Sequence, residues 1–206
     1  MADYKKPDYW QLKARQERYP ARSVYKLKEL DEKFGLLKPG KAGTGVPFRV
    51  LDLGAAPGSW SLYVLRKSSG ITLVSADLSP LSRQYDGGLF DLDTFCFIQG
   101  DITEAAVRDA ITARGPYSLI ISDAAPSTTG NRFVDTSRSL ELAEAVCAYA
   151  ETALAAGGSM VVKLFQGGDT SQLLQHLRVL FKTAKTYKPA ACRSDSFEMY
   201  YVGLGR

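Results

Sequence analysis

The chain has 206 residues, 45% hydrophobic and 23% charged, with a net charge of +4 and a single histidine, His176. Such a composition is ordinary for a soluble protein, and the length suits one domain that needs no covalent staple. Cys96, Cys147 and Cys192 are an odd number with no CxxC pair, which excludes a disulfide framework and a cysteine-rich zinc site. One histidine argues against a His-based metal centre or a Ser-His-Asp triad, so no metal is expected. No apolar run approaches the roughly 18 residues that span a membrane, and the first twenty residues have no apolar signal core. The reading is a cytoplasmic protein, or one of an organelle matrix.

Residues 1–20 read as a basic extension, followed by one domain over 21–206. In 21–34, Val24, Leu27, Leu30 and Phe34 recur at helical spacing, and Ser23 stands where a cap would. Residues 38–47 form a Gly-rich loop. FRVLDL (48–53) is a buried strand, followed by GAAPGSW and a helix through about Lys67. A second strand is expected over 71–78, an irregular loop over 79–93 and a third strand over 94–101. Then come a helix over 102–113 and a fourth strand over 117–123. A long helix over 135–156 is stopped by Gly157-Gly158. SMVVKLF (159–165) is the fifth strand, 170–182 a helix, and two strands lie near 183–188 and 197–204. Strands alternating with helices imply a parallel α/β sheet covered on both faces.

Charge is uneven: residues 1–41 carry +5, 42–177 carry −5 and 178–206 carry +4. Arg178, Lys182, Lys185, Lys188 and Arg193 run without an intervening acid. Two basic ends are the footprint of a polyanion or, more plainly, solvated helix faces.

In open α/β sheets, ligands sit at the carboxyl ends of the strands. The first strand ends in Asp52-Leu53-Gly54-Ala55-Ala56-Pro57-Gly58, which lacks the central glycine of a pyrophosphate-binding GxGxxG. The second ends in Asp77, where a carboxylate can take both hydroxyls of a ribose. The third ends in Gly100-Asp101-Ile102, an acid for an adenine amino group beside an apolar packing surface. Each acid alone is more often a helix cap than a ligand. Together the strand ends suit a nucleoside without a diphosphate, a description that S-adenosylmethionine meets.

Asp123 follows the fourth strand. Lys163 lies inside the apolar VVKLF, and lysine is almost never buried without a partner. The alternative is an edge lysine whose head reaches solvent. Glu198, between Phe197 and Met199, is a second carboxylate in apolar surroundings, or an exposed residue of an alternating strand.

RSVYKLKELDEKF, LDLGAAPGSWS, SDAAPSTTG, GGSMVVKLFQG and KPAACRSDSFEMYYV occur in this order, and by them the chain resembles the FtsJ/RrmJ family of RNA 2′-O-ribose methyltransferases from about Arg22 to Val202. The resemblance implies a Rossmann-like S-adenosylmethionine-dependent methyltransferase fold, with a seven-stranded, mostly parallel sheet. It implies a catalytic tetrad of Lys26, Asp123, Lys163 and Glu198. It implies cofactor contacts at Gly54, Ala55, Pro57, Gly58, Trp60, Asp77, Leu78, Asp101, Ile102 and Asp123. Arg18, Arg22, Lys28 and Arg193 are expected to grip RNA phosphates, and Tyr25 and Tyr200 to stack on bases or to pack in the core. The loop 38–47 and the segment 78–95 are longer than the family pattern, and Cys192 replaces a usual serine. The implied reaction is 2′-O-methylation of a ribose, with large-subunit ribosomal RNA as the expected partner and a monomer as the expected state. The alternatives are tRNA anticodon loops, the mRNA cap, or a non-catalytic RNA-binding assembly factor.

Overall fold

The computed structural model describes residues 8–38, 47–167, 170–193 and 195–206. Most of the expected 38–47 loop lies outside them. The elements are α1 (Tyr9–Gln16), α2 (Val24–Phe34), β1 (Phe48–Leu53), α3 (Ser59–Lys67), β2 (Ile71–Asp77), β3 (Phe95–Gln99), α4 (Ala105–Thr112), β4 (Tyr117–Ser122), α5 (Arg132–Ala153), β5 (Leu154–Phe165), α6 (Ser171–Leu180), β6 (Thr183–Tyr187) and β7 (Glu198–Leu204).

They build one seven-stranded sheet in the order β3-β2-β1-β4-β5-β7-β6. The pairs from β3 to β5 are parallel, and β7 runs antiparallel to both β5 and β6. Strand order reverses between β1 and β4, so the crevice beyond their carboxyl ends is where a ligand is expected.

Period-two alternation sends neighbouring residues to opposite layers. Leu119 and Ile121 of β4 join the layer that holds Leu27 and Leu30 of α2 and Leu62 of α3. Ile120 joins the layer that holds Ile111 of α4, Val146 and Tyr149 of α5, and Leu173 and Leu177 of α6. Both faces of the sheet are therefore covered, as the alternating pattern predicts.

Five local expectations are corrected. Residues 9–16 form α1, capped by reciprocal bonds between Asp8 and Gln11, with Ala14 in the core. Ser23 makes no side-chain cap for α2; its carbonyl instead accepts the Trp60 indole N–H at 2.8 Å. The long helix runs from Arg132 to Ala153, because Asn131 caps its start by accepting from the Phe133 and Val134 N–H groups. Gly157-Gly158 is not its stop signal. Both glycines lie inside β5, which begins at Leu154 and changes register between the Tyr117 and Leu119 pairings. The helix expected from 102 begins at Ala105, since Asp101 accepts the Thr103 N–H at 2.8 Å and holds 101–103 as a turn.

Candidate active site

Two adjoining cavities open at the switch point. The smaller, about 160 Å³, is lined by Gly54, Asp77, Leu78, Asp101, Ile102 and Asp123, with Gly100, Ala124, Ala125 and Leu142. Asp77 accepts the Ala56 N–H at 2.9 Å on one oxygen and the Ser79 N–H at 2.8 Å on the other. Asp101 uses one oxygen for the Thr103 N–H and hydroxyl, which hold the carboxyl below the usual carboxylate range. Its other oxygen takes no hydrogen bond among the described residues.

The turn after β1 is closely packed. Gly54 has φ 75°, and a Cβ there would sit 2.5 Å from Ala124 Cα; at Gly58, φ 103°, it would meet Phe90 at 3.0 Å. These left-handed backbones suit glycine. Ala55, Pro57 and Gly58 thus shape the loop rather than line the smaller cavity. Trp60 lines neither cavity: it is 3% exposed in the core, 6.0 Å from the Tyr200 ring.

The larger cavity, about 520 Å³, is lined by Ala21, Arg22, Ser23, Lys26, Thr128, Lys163, Phe165, Arg193, Asp195, Ser196, Phe197 and Glu198. Lys26, Lys163 and Glu198 meet here, and Asp123 reaches them from the smaller cavity. Lys163 Nζ donates to the Asp123 carbonyl at 2.5 Å and pairs with Asp123 Oδ1 at 3.0 Å. Lys26 Nζ pairs with Glu198 Oε2 at 2.6 Å. The Tyr200 hydroxyl donates to Asp123 Oδ1 at 2.6 Å. Asp123 belongs to the smaller cavity and its partner Lys163 to the larger, so this ion pair is the wall between them.

The register explains the assembly. β4 ends at Ser122 beside β5, and β7 enters antiparallel with Glu198 opposite Phe165 and Tyr200 opposite Lys163. Lys163 is 7% exposed on a central strand, not an edge lysine. Glu198 is buried at 8% exposure rather than on a solvent face. Burial opposes the charge of Asp123, but Lys163, Lys26 and the Tyr200 hydroxyl outweigh it and hold the carboxyl below its usual range. Burial likewise opposes the charge of Lys26, and Asp123 and Glu198 outweigh it, raising its pKa. Burial, then Asp123 and Glu198, push the Tyr200 phenol well above its ordinary value, so it remains a donor.

The expected RNA-gripping residues separate into two groups. Arg22 and Arg193 line the larger cavity. Arg22 is also bound by Asp8 and by the Ala191 carbonyl. Lys28 lines neither cavity; Glu17 engages it, over the rings of Tyr19 and Tyr25. Arg18 is exposed at the end of α1 with φ 59° and lines neither cavity. Tyr25 and Tyr200 are 3% and 0% exposed, so both are core residues and neither offers a face for stacking.

Sequence reasoning missed Leu142, Thr128, Phe165 and Phe197 as lining residues. Leu142 sits within a long helix whose register against the sheet no local pattern specifies. Phe165 and Phe197 flank expected site residues, and that adjacency was the available signal. Among the described residues no three His, Cys, Asp or Glu side chains are grouped to hold a metal ion. Among the same residues no helix is long and apolar enough to cross a membrane.

The chain is similar to known proteins over nearly its whole length. Ribosomal RNA large subunit methyltransferase E of Treponema denticola is 50% identical over 204 residues, covering 98% of this chain and 96% of the relative. The protein of the same name from Nitratidesulfovibrio vulgaris is 46% identical over 201 residues, 96% of this chain and 94% of the relative. A Plasmodium falciparum crystal structure described as a ribosomal RNA methyltransferase superposes with a TM-score of 0.72 at 28% identity, over 91% of this chain and all (100%) of that one. The sequence profile of the FtsJ-like methyltransferases matches residues 19–206. With that match spanning the whole sheet and the residues that line both cavities, the chain belongs to the FtsJ-like methyltransferase family.

Proposed function

We propose that this methyltransferase acts on a ribose 2′-hydroxyl of large-subunit ribosomal RNA, with S-adenosylmethionine as methyl donor. The observation that carries the reading is the Asp123–Lys163 wall: a cavity lined by Asp77 and Asp101 on one side, a cationic cleft on the other. The substrate class rests on the relatives named ribosomal RNA large subunit methyltransferase E.

The residues present fit the donor. Asp77 would take the ribose hydroxyls, and Asp101 would accept from the adenine amino group through the oxygen that Thr103 leaves open. Ile102, 7% exposed, would pack on the ring. When bound, S-adenosylmethionine supplies an electrophilic methyl that is already activated, which leaves the protein to position the acceptor and manage one proton.

Lys163 has three N–H positions, and Asp123 occupies two through its carbonyl and Oδ1. The third is left for the 2′-oxygen, where the ammonium would stabilise the developing alkoxide while the hydroxyl proton passes to solvent water. Asp123 fixes the lysine, and the Tyr200 hydroxyl fixes Asp123. Glu198 holds one N–H of Lys26, and the others serve the acceptor nucleotide or its phosphate. Arg22 and Arg193 at the rim contact phosphates without reading sequence.

The test is transfer from labelled S-adenosylmethionine to three pools: ribosomal subunits lacking late modifications, total tRNA and capped transcripts. Lys163→Ala runs beside wild type. Alkali spares a phosphodiester whose 2′-oxygen is methylated. Label in an alkali-resistant dinucleotide from the ribosomal pool, absent with Lys163→Ala, is the expected result. Label in another pool reassigns the substrate. No label in any pool, with the cofactor bound, favours the non-catalytic assembly factor.

A further inference from the structure

We propose that Phe197, braced by Phe165 and flanked by Arg132, is the platform on which the base of the target nucleotide stacks; this rests on the RNA reading above. The tyrosines adjacent to the tetrad cannot do it. Tyr25 and Tyr200 are buried, and the Tyr200 hydroxyl is committed to Asp123. An RNA ribose presented to Lys163 nevertheless brings its base with it. Unstacked bases in protein complexes are commonly held on aromatic rings and guanidinium planes.

The larger cavity has a polar floor and an aromatic wall. Lys26, Lys163 and Glu198 form the floor, and Phe165 and Phe197 form the wall. The two rings lie 4.8 Å apart at 59°, so Phe165 buttresses Phe197. The Arg132 guanidinium lies 5.4 Å over the Phe197 ring and donates to the Gln166 carbonyl at 3.3 Å. Phe197 is half-buried, while Phe165 is 9% exposed. Beside Arg132, Phe133 is 75% exposed, a large apolar surface at the same helix start. The cavity, about 520 Å³, falls within the ~300–1,000 Å³ that small ligands occupy, room enough for one nucleotide.

The position follows from register. Phe197 directly precedes Glu198, and Glu198 pairs with Phe165 across β5 and β7. A base on Phe197 is therefore held at a fixed offset from the tetrad. Stacking of this kind is tolerant of base identity, so the platform sets position and leaves sequence choice to other contacts.

The experiment compares wild type with Phe197→Leu, Phe197→Trp and Arg132→Gln on undermethylated large ribosomal subunits. Leucine keeps apolar packing and removes the π-face; tryptophan restores the face. The expected result for Phe197→Leu is a KM for RNA raised about 5- to 150-fold, the loss of one stacked base. Cofactor affinity and melting temperature should stay at wild-type values. Phe197→Trp should regain KM, and Arg132→Gln should raise it by a smaller factor in the same direction. A wild-type KM for Phe197→Leu overturns the proposal. So does a KM loss that tracks a lower melting temperature or weaker cofactor binding, which marks a structural role. If wild type methylates no RNA at all, the functional reading fails, and the platform falls with it by a distinguishable route.

Discussion

Lys26 and Glu198 stand 172 positions apart in the chain and meet in a 2.6 Å ion pair, each side chain 11% exposed. Breaking one partner of such a pair leaves a buried charge, at a cost of about 3–5 kcal/mol. Glu198→Gln and Lys26→Met should each lower the melting temperature. The double variant, Lys26→Met with Glu198→Leu, should recover much of that stability and remain inactive. Thermal melts and methyl transfer, measured on all three, separate the two roles. Recovery of activity in the double variant would remove Lys26 and Glu198 from the chemistry.

Asp123 sets the acid limit. Its carboxyl is held below the usual range by Lys163, Lys26 and Tyr200 against the effect of burial. A group with a depressed folded pKa stays ionised above its unfolded value, and its contribution is lost only as pH falls through the folded value. Activity from pH 5 upward should therefore show no limb due to Asp123. A kcat–pH profile checks this, and an acid limb with its midpoint above pH 5 would contradict it.

Asp52 gives the opposite dependence. It is fully buried in β1; Ser61 donates to one oxygen at 2.7 Å, and the other has no hydrogen-bond partner among the described residues. Burial raises its pKa to about 7. The unfolded chain ionises this group near pH 3.9, so stability present below that pH is lost progressively as pH rises to about 7. The slope approaches ~1.4 kcal/mol per pH unit for one proton. Asp52→Asn keeps an acceptor for Ser61 and should flatten the melting temperature between pH 4 and 7. An unchanged slope would show that Asp52 ionises normally.

The cysteines should be chemically quiet near the site. Burial, followed by the nearby Glu198, pushes the Cys192 thiol up to about 12, and burial does the same for Cys147. A thiol reacts as the thiolate. Iodoacetamide at pH 8 should label Cys96, which is half-buried, ahead of both, and leave methyl transfer intact. Mass spectrometry of the labelled chain checks the order. Rapid labelling of Cys192 with loss of activity would contradict it.

Much of this molecule is written locally. The near-continuous apolar runs of β1, β2 and β4 are the signal of strands covered on both faces, and all three are buried that way. Asp77, Asp101 and Asp123 stand at or immediately beyond strand ends, which is where an open α/β sheet holds its ligands, so their place in the smaller cavity was legible. Lys163 could be read because a lysine within VVKLF needs a buried partner. Glycines 157 and 158 misled, since glycine permits a helix stop and a strand irregularity equally.

What depended on the tertiary structure were the partnerships. The basic ends come together because Glu29 of α2 accepts the Ala190 and Ala191 N–H groups at 2.7 and 2.8 Å, and Arg22 reaches the Ala191 carbonyl. In the same region Lys26 meets Glu198, Lys28 pairs with Glu17 outside the cleft, and Phe197 rather than a tyrosine lines it. Strand and helix periods arise from backbone geometry within a few residues, so composition and spacing report them. Which charge neutralises which, and which ring keeps a free face, is decided by contacts between segments far apart in the chain, and only the packed sheet determines those.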